Sequence, residues 1–197
     1  MAKQTKVAGA VLAGGLARRM DFFDKGLLEY QGKALVSYAL AALAPVVDAL
    51  FINANRHIEQ YQQWGFPVIS DTSSSFDGPL AGIYSVMLQT DADILLTLPC
   101  DAPLIKSEHM AMLLNACQDK TMEVAVAYDG MRIHPVILAV KTSVISSLQQ
   151  YLAEGGRKMD TWLRQRHMVE VDFSKTPEIF ANINTLSDLS MLEDKNA

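Results

Sequence analysis

The sequence predicts an α/β fold, a three-layer sandwich in which helices cover both faces of a mostly parallel sheet. Apolar runs of strand length alternate with stretches whose apolar residues recur at helical spacing, and this alternation is typical of parallel sheets. The length of 197 residues, of which 50% are hydrophobic and 20% charged, suits one domain with a full core. We therefore expect a single domain over residues 1–197, with a Rossmann-like N-terminal half and an antiparallel addition in the C-terminal half.

The first half supplies the parallel strands and the helices between them. Short apolar runs predict strands at Val7–Leu12, Ala49–Asn53, Pro67–Ile69 and Ile94–Leu98. Helical spacing predicts helices at Lys33–Leu43, Ile58–Trp64 and Gly78–Gln89. Pro79 is compatible with a helix start, because residues in the first turn need no backbone donor.

The second half predicts a hairpin followed by helices. Val124–Tyr128 and Ile133–Val140 flank Asp129–Gly130, a dipeptide that favours a tight turn between antiparallel strands. The elements predicted after the hairpin are helices at Ser143–Ala153, Met159–Arg166 and Ser187–Leu192, and a short strand near Val169–Val171.

Composition excludes several classes of protein. The net charge of −5 argues against a nucleic-acid binder, which would need a basic face. Cys100 and Cys117 cannot form a disulfide framework and do not make a C-x-x-C pair, so a reducing compartment is indicated. No apolar run reaches the roughly 18–20 residues of a membrane span, and glycines interrupt the apolar N-terminal run that a secretory signal would need. We expect a cytoplasmic protein without a membrane or nucleic-acid partner.

The loop after the first predicted strand is the strongest candidate for a phosphate site. Gly14 and Gly15 allow backbone N–H groups to approach an anion, and ligands of open α/β sheets bind at this edge. Arg18, Arg19 and Lys25 place three cations within eight residues of an acidic chain, which suits a triphosphate. The alternative is a glycine turn with solvated arginines. Neither a G-x-x-x-x-G-K-[ST] nor a G-x-G-x-x-G motif is present, which disfavours P-loop and dinucleotide binding.

The same loop resembles the L-A-G-G-x-x-x-R-M-x-x-x-D-K-G-L signature of molybdenum cofactor guanylyltransferases, within the wider nucleotidyltransferase family. Further runs of that family recur here in the same order: Asn53-Ala54-Asn55-Arg56, Asp71, Gly78-Pro79-Leu80-Ala81-Gly82, Pro99-Cys100-Asp101-Ala102-Pro103, His134-Pro135 and Asn182-Ile183-Asn184-Thr185. Ordered agreement of several motifs is more specific than any single match. The resemblance implies a single nucleotidyltransferase domain that transfers GMP from GTP to molybdopterin and releases pyrophosphate.

The resemblance also implies roles for individual residues. Asp101 would bind Mg²⁺, Lys25 would contact the phosphates and Arg19 would assist, as the catalytic set. The GTP-binding residues would be Leu12, Ala13, Gly14, Gly15, Lys25, Asn53, Asp71, Gly78, Gly82 and Asp101. Asn182 and Asn184 would lie on the molybdopterin side. The nucleotide-binding half would span about residues 1–105 and the second-substrate half about 106–190.

Several of these residues have structural alternatives. A carboxylate directly after a predicted strand suits Mg²⁺, but Asp101 is equally of a type that caps a turn. Gly78 and Gly82 suit either an anion at a helix start or close helix packing. Asn182 and Asn184 are also typical turn residues. Cys100 is expected to be a buried thiol rather than a nucleophile, and the four histidines lack metal-ligand spacing.

One departure from the family pattern bears on function. Asp21-Phe22 stand where the family usually carries Gly-Gly, and a carboxylate in this loop is expected to repel a triphosphate unless it faces solvent.

Two alternative functions stay open: a cytidylyltransferase acting on molybdopterin or on an alcohol or sugar phosphate, and a nucleotide-binding module without catalysis. The resemblance implies GTP rather than CTP, because cytidine-specific relatives more often carry Ala-Gly where this chain has Gly14–Gly15. We expect the protein to be a monomer. Besides its two substrates, we expect it to make transient contacts with cofactor-biosynthesis proteins and recipient molybdoenzymes.

Overall fold

The structure is a computed structural model and describes residues 4–14, 24–72, 78–183 and 188. The strands are β1 (Val7–Leu12), β2 (Glu29–Tyr30), β3 (Lys33–Ala34), β4 (Ala49–Asn53), β5 (Val68–Ile69), β6 (Ile94–Pro99), β7 (Val124–Tyr128), β8 (Ile133–Lys141) and β9 (Met168–Asp172). The α-helices are α1 (Leu35–Leu43), α2 (Ile58–Gln62), α3 (Pro79–Met87), α4 (Ser107–Cys117), α5 (Ile145–Ala153) and α6 (Met159–Leu163). None of the helices in these ranges has the length and apolar character that a bilayer crossing requires.

Within the described residues, seven strands form one sheet in the order β5-β4-β1-β6-β8-β7-β9. β1 pairs in parallel with β4 and with β6, and β4 pairs in parallel with β5. β8 runs antiparallel to both β6 and β7, whereas β9 is parallel to β7. The predicted mostly parallel sheet with an antiparallel addition in the C-terminal half is confirmed, and the sheet is continuous across the predicted boundary between residues 105 and 106.

β1 shows why the sheet needs a layer of helices on each face. All six of its residues are buried, and successive side chains of a strand point to opposite faces. Val7 and Val11 enter a core cluster with residues of α1 and α4. Ala8, Ala10 and Leu12 enter a second cluster with residues of α3, α5 and α6. The three-layer sandwich is therefore confirmed.

The predicted hairpin is confirmed and carries an irregularity. Met131 and Arg132 donate their backbone N–H groups to the Asp129 carboxylate, each over 2.8 Å, and close the turn. Val126 pairs with Leu138, but Ala127 pairs with His134. The three residues 135–137 of β8 therefore have no opposite residue in β7. Such a bulge bends its strand and is common beside active sites.

Two segments differ from the sequence prediction. The prediction missed α4, although its buried residues Met110, Leu113 and Cys117 have helical spacing. The prediction placed the start of α1 at residue 33, whereas Lys33–Ala34 form strand β3 and pair with Glu29–Tyr30. Positive φ angles at Gln31 (48°) and Gly32 (72°) allow the tight two-residue turn between these strands. The predicted helix Ser187–Leu192 lies outside the described residues, apart from Asp188.

Candidate active site

A cavity of about 460 Å³ lies where the central parallel strands end. The chain leaves β1 at Leu12, β4 at Asn53 and β6 at Pro99, and the carboxyl ends of these three strands meet at one edge because the strands are parallel. The cavity is lined by Leu12, Ala13, Gly14, Lys25, Asn53, Asp71, Gly78, Pro79, Pro99, Cys100, Asp101, His134, Pro135, Val136, Ile137 and Asn182. The fold therefore gathers residues that lie as much as 170 positions apart in sequence.

An ion pair lies at the end of β6. The ammonium Nζ of Lys25 is 3.2 Å from Oδ2 of Asp101, and the two side chains are 27% and 16% exposed. The backbone N–H of Ile183 donates to the Asp101 carbonyl over 2.9 Å. That hydrogen bond brings Asn182 to the cavity that Asp101 lines. A cation and a carboxylate thus sit together at the strand ends, where both can meet a phosphorylated ligand.

A network of amides holds the carboxylate of Asp71. Asn53 donates from Nδ2 to Asp71 Oδ1 over 2.9 Å and to the Ile69 carbonyl over 3.0 Å. Asn55 donates from Nδ2 to Asp71 Oδ2 over 2.7 Å and accepts the backbone N–H of Asp71 over 2.8 Å. Each carboxylate oxygen keeps a second lone pair. Asp71 is therefore held in one orientation and can still accept hydrogen bonds from a ligand.

Some backbone groups at the end of β1 are already hydrogen-bonded within the protein. The N–H of Ala13 donates to the Asn53 carbonyl over 2.8 Å, and the Leu12 carbonyl accepts from the Cys100 N–H over 3.2 Å. A β-carbon on Gly14 would lie 3.1 Å from Asn55 Nδ2 and 3.3 Å from Asn53 Oδ1. Any contact between a base and this segment must therefore use groups other than the Ala13 N–H.

The two glycines near the start of α3 differ in position. Gly78 precedes α3 with φ of +77° and lines the cavity, so it can expose backbone to a ligand. Gly82 is buried behind Asn53, because a β-carbon there would lie 2.2 Å from Asn53 Oδ1. Gly82 is absent from the described lining of the cavity. The observed contact of Gly82 is close packing against Asn53. Close packing was the alternative to an anion site that the sequence left open.

The family resemblance implies GTP binding, and we expect Gly82→Ala to weaken it about ten-fold, because the added methyl group must displace Asn53 and break its hydrogen bond to Asp71. Calorimetric titration with GTP measures the change, and thermal unfolding shows whether the fold is retained. In an Asn53→Ala background the methyl group has room, and Gly82→Ala should then cost no further affinity. Wild-type affinity in Gly82→Ala would contradict this role of Gly82.

The bulge of β8 forms the opposite wall, and Phe180 packs against it. Nε2 of His134 lies 2.8 Å from Oδ2 of Asp129, and the His134 ring stacks on Phe180 with centroids 3.9 Å apart. Backbone N–H groups of Arg132 and Met131, followed by His134, lower the pKa of Asp129 to about 2. The paired carboxylate and the stacked ring hold the imidazole in place. Pro135–Ile137 continue this wall.

Cys100 lines the cavity beside Asp101 but is a poor nucleophile. The residue is 6% exposed. Burial, and next the neighbouring charge of Asp101, raise the pKa of the Cys100 thiol well above its ordinary value. A protonated thiol is not the reactive species. The expectation of a buried thiol without a catalytic role agrees with these surroundings.

Most of the predicted site residues converge on this cavity, and a few cannot be placed. Arg19, Gly15 and Asn184, together with Asp21-Phe22, lie outside the described residues. Sequence reasoning left Asn55 and His134 without a role, although both belong to the recurring runs that carry the family resemblance. The signal that could have found Asn55 is its alternation with Asn53, since the two residues lie two positions apart at the end of a strand.

Comparison with known proteins shows the family of the chain. The model of the MobA-like NTP transferase domain matches residues 9–171. The chain belongs to this family. It is thus a nucleotidyltransferase, as the loop after β1 suggested, and the family resemblance stated from the sequence is confirmed.

Individual relatives match over nearly the full length of the chain. A protein of Shewanella frigidimarina named molybdenum cofactor guanylyltransferase is 42% identical over 180 residues, which cover 91% of this chain and 92% of the relative. One of the same name from Shewanella loihica is 40% identical over 189 residues, or 96% of each chain. A crystal structure of molybdopterin-guanine dinucleotide biosynthesis protein A from Archaeoglobus fulgidus superposes with a TM-score of 0.78 at 22% identity, covering 96% of this chain and 98% of that one. The structural likeness shows the fold.

Proposed function

We propose that this nucleotidyltransferase transfers GMP from GTP to molybdopterin and releases pyrophosphate, forming the guanine dinucleotide form of the molybdenum cofactor. The observation that carries the proposal is the cavity that joins the Lys25–Asp101 pair to the Asn53–Asp71 network. It occurs in a chain that is 42% identical to proteins named molybdenum cofactor guanylyltransferase. The roles of the individual residues given below are part of the proposal.

The Asn53–Asp71 network and the Lys25–Asp101 pair suit different parts of the reaction. Guanine has two N–H donors on its Watson–Crick edge, and an oriented carboxylate such as that of Asp71 can accept from them. Adenine and cytosine carry a ring-nitrogen acceptor where guanine has its N1–H donor, and an acceptor facing the carboxylate is unfavourable, which gives discrimination. Lys25 would meet the triphosphate and offset the charge that grows as pyrophosphate leaves. Arg19 would assist it.

The opposite wall suits the acceptor. Asn182 lines the cavity together with the β8 bulge, and β1 and β6 lie between β8 and β4, the strand that ends at Asn53. We assign Asn182, with Asn184, to the molybdopterin side, and residues from about 106 to 190 to that half of the cleft. Holding the acceptor phosphate in line with the α-phosphate of GTP would supply catalysis by positioning.

The residues fit a magnesium ion held mainly by substrate. In the described part of the chain no three or more His, Cys, Asp or Glu residues cluster as a metal site. Mg²⁺ keeps several waters and usually takes one or two carboxylates plus substrate phosphates, so the partly buried Asp101 is a sufficient protein ligand. When bound, Mg²⁺ would neutralise charge on the phosphates. We expect EDTA to remove activity and added Mg²⁺ to restore it.

The deciding experiment compares pyrophosphate release with molybdopterin and GTP, CTP or ATP. We expect release with GTP, and at least about 100-fold less with the other two, because neither cytosine nor adenine offers the Asp71 carboxylate two adjacent N–H donors. Omission of molybdopterin is the control. Preference for CTP would support the cytidylyltransferase alternative, and GTP binding without release would support a module without catalysis.

Three further expectations belong to the proposal. The enzyme would work in the cytoplasm, where Cys100 and Cys117 stay reduced; both are free cysteines in the structure. It would act as a monomer, and it would make transient contacts with cofactor-biosynthesis proteins and recipient molybdoenzymes. Sedimentation of the purified protein, with and without GTP, tests the monomeric state.

A further inference from the structure

The position of Lys25 is set by a short turn that begins at Asp24. Residues Lys25–Leu27 form a single 3₁₀ turn, closed by backbone hydrogen bonds from Leu27 to Asp24 and from Leu28 to Lys25, each of 3.1 Å. The Asp24 carboxylate caps the turn by accepting the Gly26 N–H over 3.3 Å. A single turn has little stability of its own. The direction of the Lys25 side chain therefore depends on what holds Asp24.

Asp24 is held by a tyrosine from a different part of the fold. The Tyr61 hydroxyl, on α2, donates to Asp24 Oδ1 over 2.5 Å. Tyr61 is fully buried and Asp24 is 8% exposed. Burial raises the pKa of Tyr61 well above its ordinary value, so the hydroxyl stays protonated and remains a donor. A hydrogen bond to a buried carboxylate is of the strong, charge-assisted kind.

The turn also packs directly on the tyrosine. A β-carbon on Gly26 would lie 2.3 Å from the Tyr61 hydroxyl oxygen and 3.2 Å from two atoms of its ring. Only glycine leaves room for the hydroxyl to reach Asp24. The absence of a side chain at Gly26 thus lets Tyr61 pack against the turn. This packing fixes the position of Lys25, which lies between Asp24 and Gly26.

We propose that Tyr61 is a positioning residue of the active site, which holds Asp24 and thereby aims the Lys25 ammonium at Asp101 and at the triphosphate. Tyr61 itself is buried and is not among the described residues that line the cavity. It acts through Lys25 and touches no substrate. The part of the inference that concerns the triphosphate rests on the proposed function; the part that concerns the Lys25–Asp101 contact does not.

The test is Tyr61→Phe, which removes the hydroxyl and keeps the ring. We expect GTP affinity to fall about ten-fold, as for loss of one hydrogen bond to a charged group. A crystal structure of the variant should show Lys25 Nζ farther from Asp101 than 3.2 Å. Tyr128→Phe is the matched control, because its hydroxyl donates to the Gly130 carbonyl at an exposed turn; it should bind GTP as wild type does.

A double-mutant cycle separates positioning from a general effect on the fold. In a Lys25→Ala background, Tyr61→Phe should reduce GTP affinity no further, because the residue through which it acts is gone. The proposal would be overturned if Tyr61→Phe and Lys25→Ala lowered GTP affinity by factors that multiply in the double variant. It would also be overturned if Tyr61→Phe kept wild-type GTP affinity and left Lys25 unmoved. Asp24→Asn retains an acceptor for the tyrosine and should retain most of the affinity, whereas Asp24→Ala should match Tyr61→Phe.

The same experiments distinguish this inference from the proposed function. If the wild-type protein binds GTP but releases no pyrophosphate with molybdopterin, the proposed function fails while the binding cycle still decides the role of Tyr61. If GTP does not bind at all, the Lys25–Asp101 distance in the Tyr61→Phe structure decides it alone. An unchanged distance would then refute the positioning role.

Discussion

Replacement of Asp101 by alanine is expected to lower kcat/KM for GTP by about 10³-fold, the scale of losing a main electrostatic group of an active site. Asp101 lies two residues after the end of β6 and lines the cavity beside Lys25. Without its carboxylate, the proposed metal loses its protein ligand. The phosphates that the metal would bind are then no longer held in a fixed position. Most of the loss should appear in kcat, because charge stabilisation matters most in the transition state.

The fold should survive this change. The Asp101 carbonyl that accepts from Ile183 is a backbone group and is retained in Asp101→Ala. Asp101→Asn keeps the shape of the side chain and isolates the effect of the charge. Asp91→Ala is a matched control, because Asp91 is an exposed partner of Lys6 at the opposite end of β6. A fully active Asp101→Ala enzyme with a normal melting temperature would remove the proposed metal role.

Replacement of Lys25 by alanine is expected to weaken GTP binding and turnover together, by about 100-fold in kcat/KM. Among the described residues that line the cavity, Lys25 is the one lysine or arginine. Its loss removes one of the positive charges that offset the triphosphate and Asp101, so the repulsion between these negative groups increases. Calorimetric titration with GTP and steady-state pyrophosphate release measure the two effects separately.

Lys25→Arg tests whether charge alone is sufficient. Arginine keeps the positive charge but is longer and planar, so it should recover part of the binding and little of the turnover. Lys33→Ala removes an exposed lysine of β3 and should bind GTP normally. Unchanged GTP affinity in Lys25→Ala would count against the assignment of Lys25 to the phosphates.

Local patterns were enough to predict most of the sheet. The limits predicted for β1, β4 and β7 agree with the structure, because each strand is a short apolar run buried on both faces or bounded by clear turn residues. The prediction missed α4 and the β2–β3 hairpin. The hairpin strands have only two residues each, too few to show a period, and the hairpin depends on the left-handed turn at Gln31 and Gly32.

The candidate site was predictable to the extent that its residues follow strands. Asp101 and Asn53 sit at strand ends, where position in sequence already implies position at one edge of the sheet. Gly82 shows the limit of that reasoning. Its place in a helix start is compatible with an anion site, and only the distance to Asn53 reveals that the missing β-carbon makes room for a side chain.

The sequence by itself determined the fold class, the edge of the sheet where ligands bind and the family, because these depend on local periodicity and on ordered motifs. The tertiary structure decided how the site is supported. Tyr61 reaches Asp24 across 37 positions and Asn55 reaches Asp71 across 16. The physical reason is that a hydrogen bond depends on distance and direction in space. No pattern within one segment shows which buried side chain from another segment will complete it.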